Sequence, residues 1–420
     1  MPPTKSRFKL LAPHSGKAAM PFIMLAALID MISIGIVIPV LPALVGSFTE
    51  STTMQALWYG VVAFAFGFAN FFGSPLLGAL SDSYGRRPVL LIGFCGLTLS
   101  YFAMGLATSL WMLIVIRAVG GAMQANVSVA NAYVADITPA GERAARFGKL
   151  AAMSGIGFAL GPVLGGVLGA VNMQMPFYVA GGLAAVNLLY GFFVLPESLA
   201  PAKRREFALK AASPLHSFRK LAQLRGVGRL VTVLACAMLA HYMLYTCWVL
   251  YTTFKFGWGP YENGWALAAM GIVTAVVQGL LLDRILKIVN PRRVAVLGLV
   301  SSMLAFFAWG AAWEGWMMFA IIFINLLGVT VAPAIQSIIS GTVDAKNQGT
   351  TLGAIGGVNS LMAVIAPLIG TPLLALVSHL DMDDWRVGAP FYFCAVLLAA
   401  ALTLALWQFR GEGRKRRASK

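Results

Sequence analysis

Charge is what this sequence has least of. Asp, Glu, Lys and Arg make up only 11% of its 420 residues, where a water-soluble domain carries about a quarter. So few charges cannot cover the surface of a soluble chain this long, which excludes water as its main solvent. Cysteine is scarce as well. Cys95, Cys236, Cys247 and Cys394 all fall inside apolar stretches, and none stands at metal-ligand spacing from another Cys or a His. They read as small packing residues. The four histidines (His14, His216, His241 and His379) are dispersed. There is also no nucleophile elbow, phosphate-binding loop or ATPase module, so no enzymatic activity, metal or cofactor is expected.

Apolar residues supply what charge does not. They form 59% of the chain, with mean hydropathy +0.80, and they come in blocks rather than at amphipathic spacing. Uncharged runs of about 20 residues suffice to cross a hydrocarbon core of roughly 30 Å. Twelve such blocks are predicted, at 19–43, 56–80, 88–108, 110–136, 147–170, 176–196, 229–252, 262–283, 293–313, 316–340, 351–378 and 388–409. The first is too long for the apolar core of a cleavable leader and runs directly into further spans. An all-α membrane protein of twelve helices follows.

The net charge of +16 is distributed unevenly. Basic residues fill alternate connections, from Lys5, Arg7, Lys9 and Lys17 to the tail with Arg414, Lys415, Arg416 and Arg417. Of the 31 basic residues, only Lys255 and Arg386 fall in the other connections, and Arg117 lies within a block. Basic loops stay in the cytoplasm. Both termini are therefore expected there, in a bacterial inner membrane, and the basic charge needs no nucleic-acid partner. The expected division is a tail at 1–18, a six-helix bundle at 19–196, a linker at 197–228, a second bundle at 229–409 and a basic tail at 410–420.

The two bundles echo one another. Leu80-Ser81-Asp82 with Arg86-Arg87-Pro88 has a counterpart in Leu281-Leu282-Asp283-Arg284 with Pro291-Arg292-Arg293. Gly161-Pro162 and Gly148 are matched at one common offset by Ala366-Pro367 and Gly353. A duplicated six-helix unit fits transporters whose solute site lies between the halves near the bilayer midplane.

Three ordered motifs then carry a resemblance. Gly78-Ala79-Leu80-Ser81-Asp82-Ser83-Tyr84-Gly85-Arg86-Arg87 resembles the signature loop of the major facilitator superfamily. Arg117 followed by Gly121 resembles its intramembrane arginine motif. Gly161-Pro162-Val163-Leu164-Gly165-Gly166, preceded by Gly155 and Gly157, resembles its antiporter motif. Leu28-Ile29-Asp30, Ala132 to Thr138, Asn187 to Gly191, Pro196-Glu197-Ser198 and Pro333 to Gln336 are similar to the tetracycline-efflux group of drug–proton antiporters. The likeness implies proton-coupled efflux of a small amphipathic compound by alternating access. It stops at three positions, where Ser100, Ser302 and Thr274 stand in place of the ionisable residues expected of tetracycline exporters. That leaves the solute's identity open.

From the residues themselves, Asp30 is the only acidic group deep in a span of the first half, roughly 15 Å along its helix. A carboxylate inside a membrane costs enough free energy to be read as functional. Arg117 is its expected partner, in a proton-coupling pair or a static one. Asp82 is expected to cap the next helix or pair with Arg86. Within the resemblance, Gly78, Asp82, Gly85, Arg86, Arg87 and Asp136 form a gate on the cytoplasmic side, and the glycines around Pro162 form a hinge-like seam between halves. Gln124, Asn126, Tyr242, Trp248, Gln278 and Gln336 are candidates for contacting the solute. A monomer is expected. The rival reading is an uncoupled facilitator that imports or exchanges a metabolite.

Overall fold

The computed structural model describes residues 19–124, 126–207, 228–342 and 348–418. The expected tail at 1–18, most of the linker and the last two residues lie outside them. Among the described residues, eleven helices are long and apolar enough to span a membrane, and a bent pair makes twelve. In the first half they are α1 (Met20–Gly46), α2 (Thr52–Tyr84), α3 (Arg86–Gly105), α4 (Leu110–Ile137), α5 (Ala145–Val171) and α6 (Met175–Val194). The second half has α7 (Gly228–Phe256), α8 (Pro260–Ile288), α9 (Pro291–Ala311), α10 (Gly315–Ile324 with Gly328–Thr342), α11 (Gly353–Ala375) and α12 (Trp385–Arg410). No strand occurs among the described residues.

Local chemistry sets the helix ends. Pro176, Pro260 and Pro291 sit in the first turns of α6, α8 and α9, where the missing N–H costs nothing. Ser51 caps α2 by accepting from Met54 N at 3.2 Å, and Asn290 caps α9 through Arg292 N at 3.0 Å. Gly85 ends α2 at φ 106°, a conformation that only glycine adopts without strain.

Two irregularities lie in the second half. The pieces of α10 meet at 50°, and the Asn325 side chain at the break accepts from Ser301 Oγ at 2.9 Å. Opposite, α8 widens into a π-helical turn at Val277–Leu281. Gln278 on that turn donates to Val329 O across the break at 3.0 Å.

Large apolar side chains such as Ile92, Leu99, Val115, Phe193 and Val396 face outward, as a lipid solvent requires. The second half is centred on an aromatic cluster. Trp248 meets Trp309 edge-on at 5.6 Å, and Tyr251 meets Phe391 at 4.6 Å.

The halves join mainly through α5 against α8 and α2 against α11. These seams are tight on the face away from the basic connections. A Cβ on Gly166 would lie 2.6 Å from Pro260 O, and one on Gly60 would collide with the Thr371 hydroxyl. Thr52 Oγ1 donates to Ser378 O at 3.0 Å on the same face. Toward the basic side the helices diverge, and Gly148, Gly155, Gly353 and Gly356 have nothing within 4 Å of a Cβ.

Candidate functional site

A cavity of about 1020 Å³ lies between the halves, its walls drawn from α1, α2, α3, α4 and α5 on one side and α7 and α11 on the other. Its lining is largely apolar and aromatic. Among the lining residues Arg117 is the one charged side chain with a fixed charge; no Asp or Glu is among them.

Backbone packing explains how Arg117 is presented. Gly121, one turn further along α4, lets the α2 backbone approach so closely that a Cβ there would strike Phe66 O. That approach brings the Phe66 ring beneath the guanidinium, with Arg117 Cζ 3.9 Å from the ring centroid, a cation–π contact. Tyr59 and Tyr101 line the same cavity. Arg117 Nε has no hydrogen-bond partner.

Asp30 is buried within α1, but its side-chain partner is not the expected Arg117. Its carboxylate does not meet Arg117; Asp30 Oδ2 accepts from Gln124 Nε2 at 2.8 Å. Asp30 is 8% exposed and borders a separate small cavity of about 40 Å³ with Ile23, Leu90, Phe94 and Leu150. Gln124 lies on the large cavity's wall, so its amide separates the carboxylate from the central space. Arg117 and Gln124, seven positions apart, share a face of α4, which leaves the amide nearer to Asp30 than the guanidinium.

The remaining candidates divide. Tyr242 lines the large cavity and, with His241, also a second cavity of about 350 Å³ within the second half. Gln278 lines only that second cavity, as do Thr274 and Ser302, while Ser100 lines the large one. The structure departs from the expected constellation at Trp248, which is fully buried in the aromatic cluster and borders none of these three cavities. Gln336 lies outside their linings too. The Asn126 side chain lies outside the described residues. Tyr59, Tyr101, Asn131, Tyr245 and Asn359 join the lining without having been singled out. Aromatic and amide groups are common in membrane helices, so only the fold brings these to one wall.

The signature loop forms a tight polar cluster within the first half. Arg86 pairs with Asp82 at 2.6 Å and with Asp136 at 3.0 Å, and donates to Ser81 Oγ at 2.6 Å. Arg86 is only 7% exposed, which distinguishes it from a solvated surface pair. Asp82 does not cap α3. That task falls to Glu197, whose two carboxylate oxygens accept from Arg86 N at 2.9 Å and Arg87 N at 3.2 Å. Gly85 makes room for it, since a Cβ there would strike Glu197. Arg87 reaches Phe192 O at 2.7 Å, Ser198 Oγ bonds Asp136 at 3.3 Å, and Arg205 N donates to Asp82 O at 3.1 Å. Gly78, at the start of the signature loop, has nothing within 4 Å of a Cβ.

The glycine–proline motif packs in two directions. Gly157, Gly161 and Gly165 meet α1, where a Cβ on Gly161 would lie 2.7 Å from Ile32 O. Gly166 meets α8, and Gly155 opens on the large cavity. The seam between halves is therefore carried by Gly166 and the Pro162 carbonyl, which abuts Gly264.

Two six-helix halves around a central cavity, with these motifs in place, define a polytopic membrane transporter rather than an enzyme. The chain belongs to the Major Facilitator Superfamily, whose family model matches residues 23–290 and 230–420. It is 36% identical over 365 residues to the class C tetracycline resistance protein of Escherichia coli, covering 87% of this chain and 92% of that protein. Against the class D tetracycline resistance protein of Salmonella ordonez the identity is 31% over 378 residues, covering 90% and 94%. Among solved structures, a bacterial homologue of the human lysosomal transporter Spinster superposes with a TM-score of 0.75. It has 16% identity and covers 95% of this chain and 98% of that one.

Proposed function

We propose that this protein is a proton-coupled exporter of small amphipathic compounds in the bacterial inner membrane, with both termini in the cytoplasm. It works by alternating access, as a monomer, and the conformation described here opens toward the cytoplasm. The named relatives support efflux, and the alternation of basic connections supports the orientation. The signature-loop cluster serves as the cytoplasmic gate, and the Pro162 seam as the surface on which the halves rock.

One observation carries the coupling. Asp30 is a buried carboxylate held by Gln124, and Gln124 is on the wall of the solute cavity. A solute that donates a hydrogen bond to Gln124 Oε1, which has no partner, polarises the amide, strengthens its bond to Asp30 and favours the charged carboxylate, releasing a proton. Proton and solute thus compete through Gln124 rather than through a direct Asp30–Arg117 pair.

The test is proton release from purified protein in detergent on adding tetracycline and a panel of amphipathic drugs and dyes. Wild type is expected to release protons with at least one compound, and Asp30→Asn to bind it without release. Binding to wild type with no proton release would replace this reading with an uncoupled facilitator of the same fold.

A further inference from the structure

Resting on the exporter reading, the composition of the cavity wall narrows the class of solute. The wall holds one fixed charge, Arg117, and no carboxylate. Among the described residues the one buried acid, Asp30, is bonded to Gln124 and borders a different cavity. No ion pair is formed by Arg117 among the described residues, and its Nε lacks a hydrogen-bond partner. A half-buried guanidinium without a counter-ion costs free energy that a pairing anion recovers.

The neighbouring groups are suited to the same task. Ser100, 4% exposed, has a hydroxyl with no partner. It faces α4 opposite Gly120, 3.5 Å from where a Cβ would stand there, and so lies between the levels of Arg117 and Gln124 on α4. Tyr59 and Tyr101 add phenolic hydroxyls to the same cavity lining. Arginine, serine and tyrosine all donate hydrogen bonds, and the guanidinium fork matches a carboxylate in two-point contact. Much of the rest of the wall, including Phe66, Phe158, Leu97 and Ile116, is apolar, and its other polar groups are amides, hydroxyls and the His241 imidazole.

We propose that Arg117, with Ser100, Tyr59 and Tyr101, forms an anion-binding subsite, and that the solutes carried are amphipathic organic acids bound as their anions. The acidic group seats on Arg117 and the hydrophobic body lies along the aromatic wall toward Tyr245 and Phe158. Arg117 then acts as a specificity-determining residue for the solute as well as a neighbour of the coupling carboxylate.

The experiment is isothermal titration of purified full-length protein with three probes: 2-naphthoate, its uncharged amide 2-naphthamide, and acetate. 2-Naphthoate is expected to bind wild type at least tenfold more tightly than 2-naphthamide, a difference of about 1.4 kcal/mol. Arg117→Gln should bring that ratio close to one, and Arg117→Lys should keep part of it. Acetate, a carboxylate without an apolar body, is expected to bind at least tenfold more weakly than 2-naphthoate. Equal affinity of wild type for 2-naphthoate and 2-naphthamide would overturn the proposal. So would a ratio unchanged in a folded Arg117→Gln protein, or acetate binding as tightly as 2-naphthoate. If Arg117→Gln does not purify as a single species, the wild-type ratio and Arg117→Lys still decide. Because the readout is equilibrium binding, it stands apart from proton release: an anion preference without release refutes the coupling alone, and release without preference refutes the subsite alone.

Discussion

Replacing Glu197 with alanine isolates the contribution of a helix cap lent by another part of the chain. The carboxylate accepts from Arg86 N and Arg87 N, at 2.9 and 3.2 Å, and from Leu199 N at 3.0 Å. Gly85 has no side chain with which to cap α3 itself. Losing a side-chain cap costs about 1 kcal/mol per helix end in ordinary cases, and a charged acceptor is stronger than a neutral one. The side chain is exposed, so water recovers part of the loss. About 2 kcal/mol of local destabilisation at the start of α3 is the resulting expectation. Since 1.36 kcal/mol is tenfold, hydrogen exchange of the amides at Arg86 and Arg87 should quicken roughly 30-fold. Glu197→Gln, which keeps one acceptor oxygen, should lose about half that free energy and quicken exchange roughly fivefold. Mass-spectrometric exchange on detergent-solubilised protein reads both. A change under about twofold at these amides, in a protein that elutes as a single species, would refute the argument, because it would mean that water caps α3 as well as Glu197 does.

Two further perturbations address the seams. Gly165→Val would drive a side chain into the α1 backbone at Ile36, an overpacking that costs about 1–3 kcal/mol or more, whereas Gly148→Ala meets nothing within 4 Å and should change stability by under about 0.5 kcal/mol. Thermal unfolding in detergent separates them, and equal midpoints would contradict the packing described. Thr53 and Ser378 join the halves on the face away from the basic connections, hydroxyl to hydroxyl at 3.1 Å. A Thr53→Cys, Ser378→Cys protein is expected to cross-link on oxidation, as mass spectrometry of the linked peptides would show, and to stop transporting until reduced. Transport at the wild-type rate while cross-linked would show that this contact does not open in the cycle.

Much of the architecture was legible because the membrane imposes it. Every predicted span overlaps a helix, with ends displaced by a few residues, since an apolar block and its flanking charges are local signals. The break in α10 was not legible. Apolar residues run across Asn325 with no proline before Pro333, and the bend depends on contacts with Ser301 and Gln278 that only the fold supplies. The same holds for the site. Asp30 and Arg117 each stood out as costly charges in a span, yet their separation by Gln124 depends on the rotation of α1 against α4. Glu197 was visible within Pro196-Glu197-Ser198, but its reach to amides more than a hundred residues earlier was not. The glycines around Pro162 announced close packing without announcing that most of them serve α1.

The bonds that tie the connector to the gate have a consequence for chain continuity. Glu197, Ser198 and Arg205 all reach elements of the first half, and all precede residue 208. A chain cut anywhere within 208–227 would leave every one of these bonds on one fragment. Among the described residues the two fragments would then meet mainly through the α5–α8 and α2–α11 seams. Covalent linkage would serve chiefly to keep them at high effective concentration, so the two halves made as separate polypeptides should reassemble into one transporter.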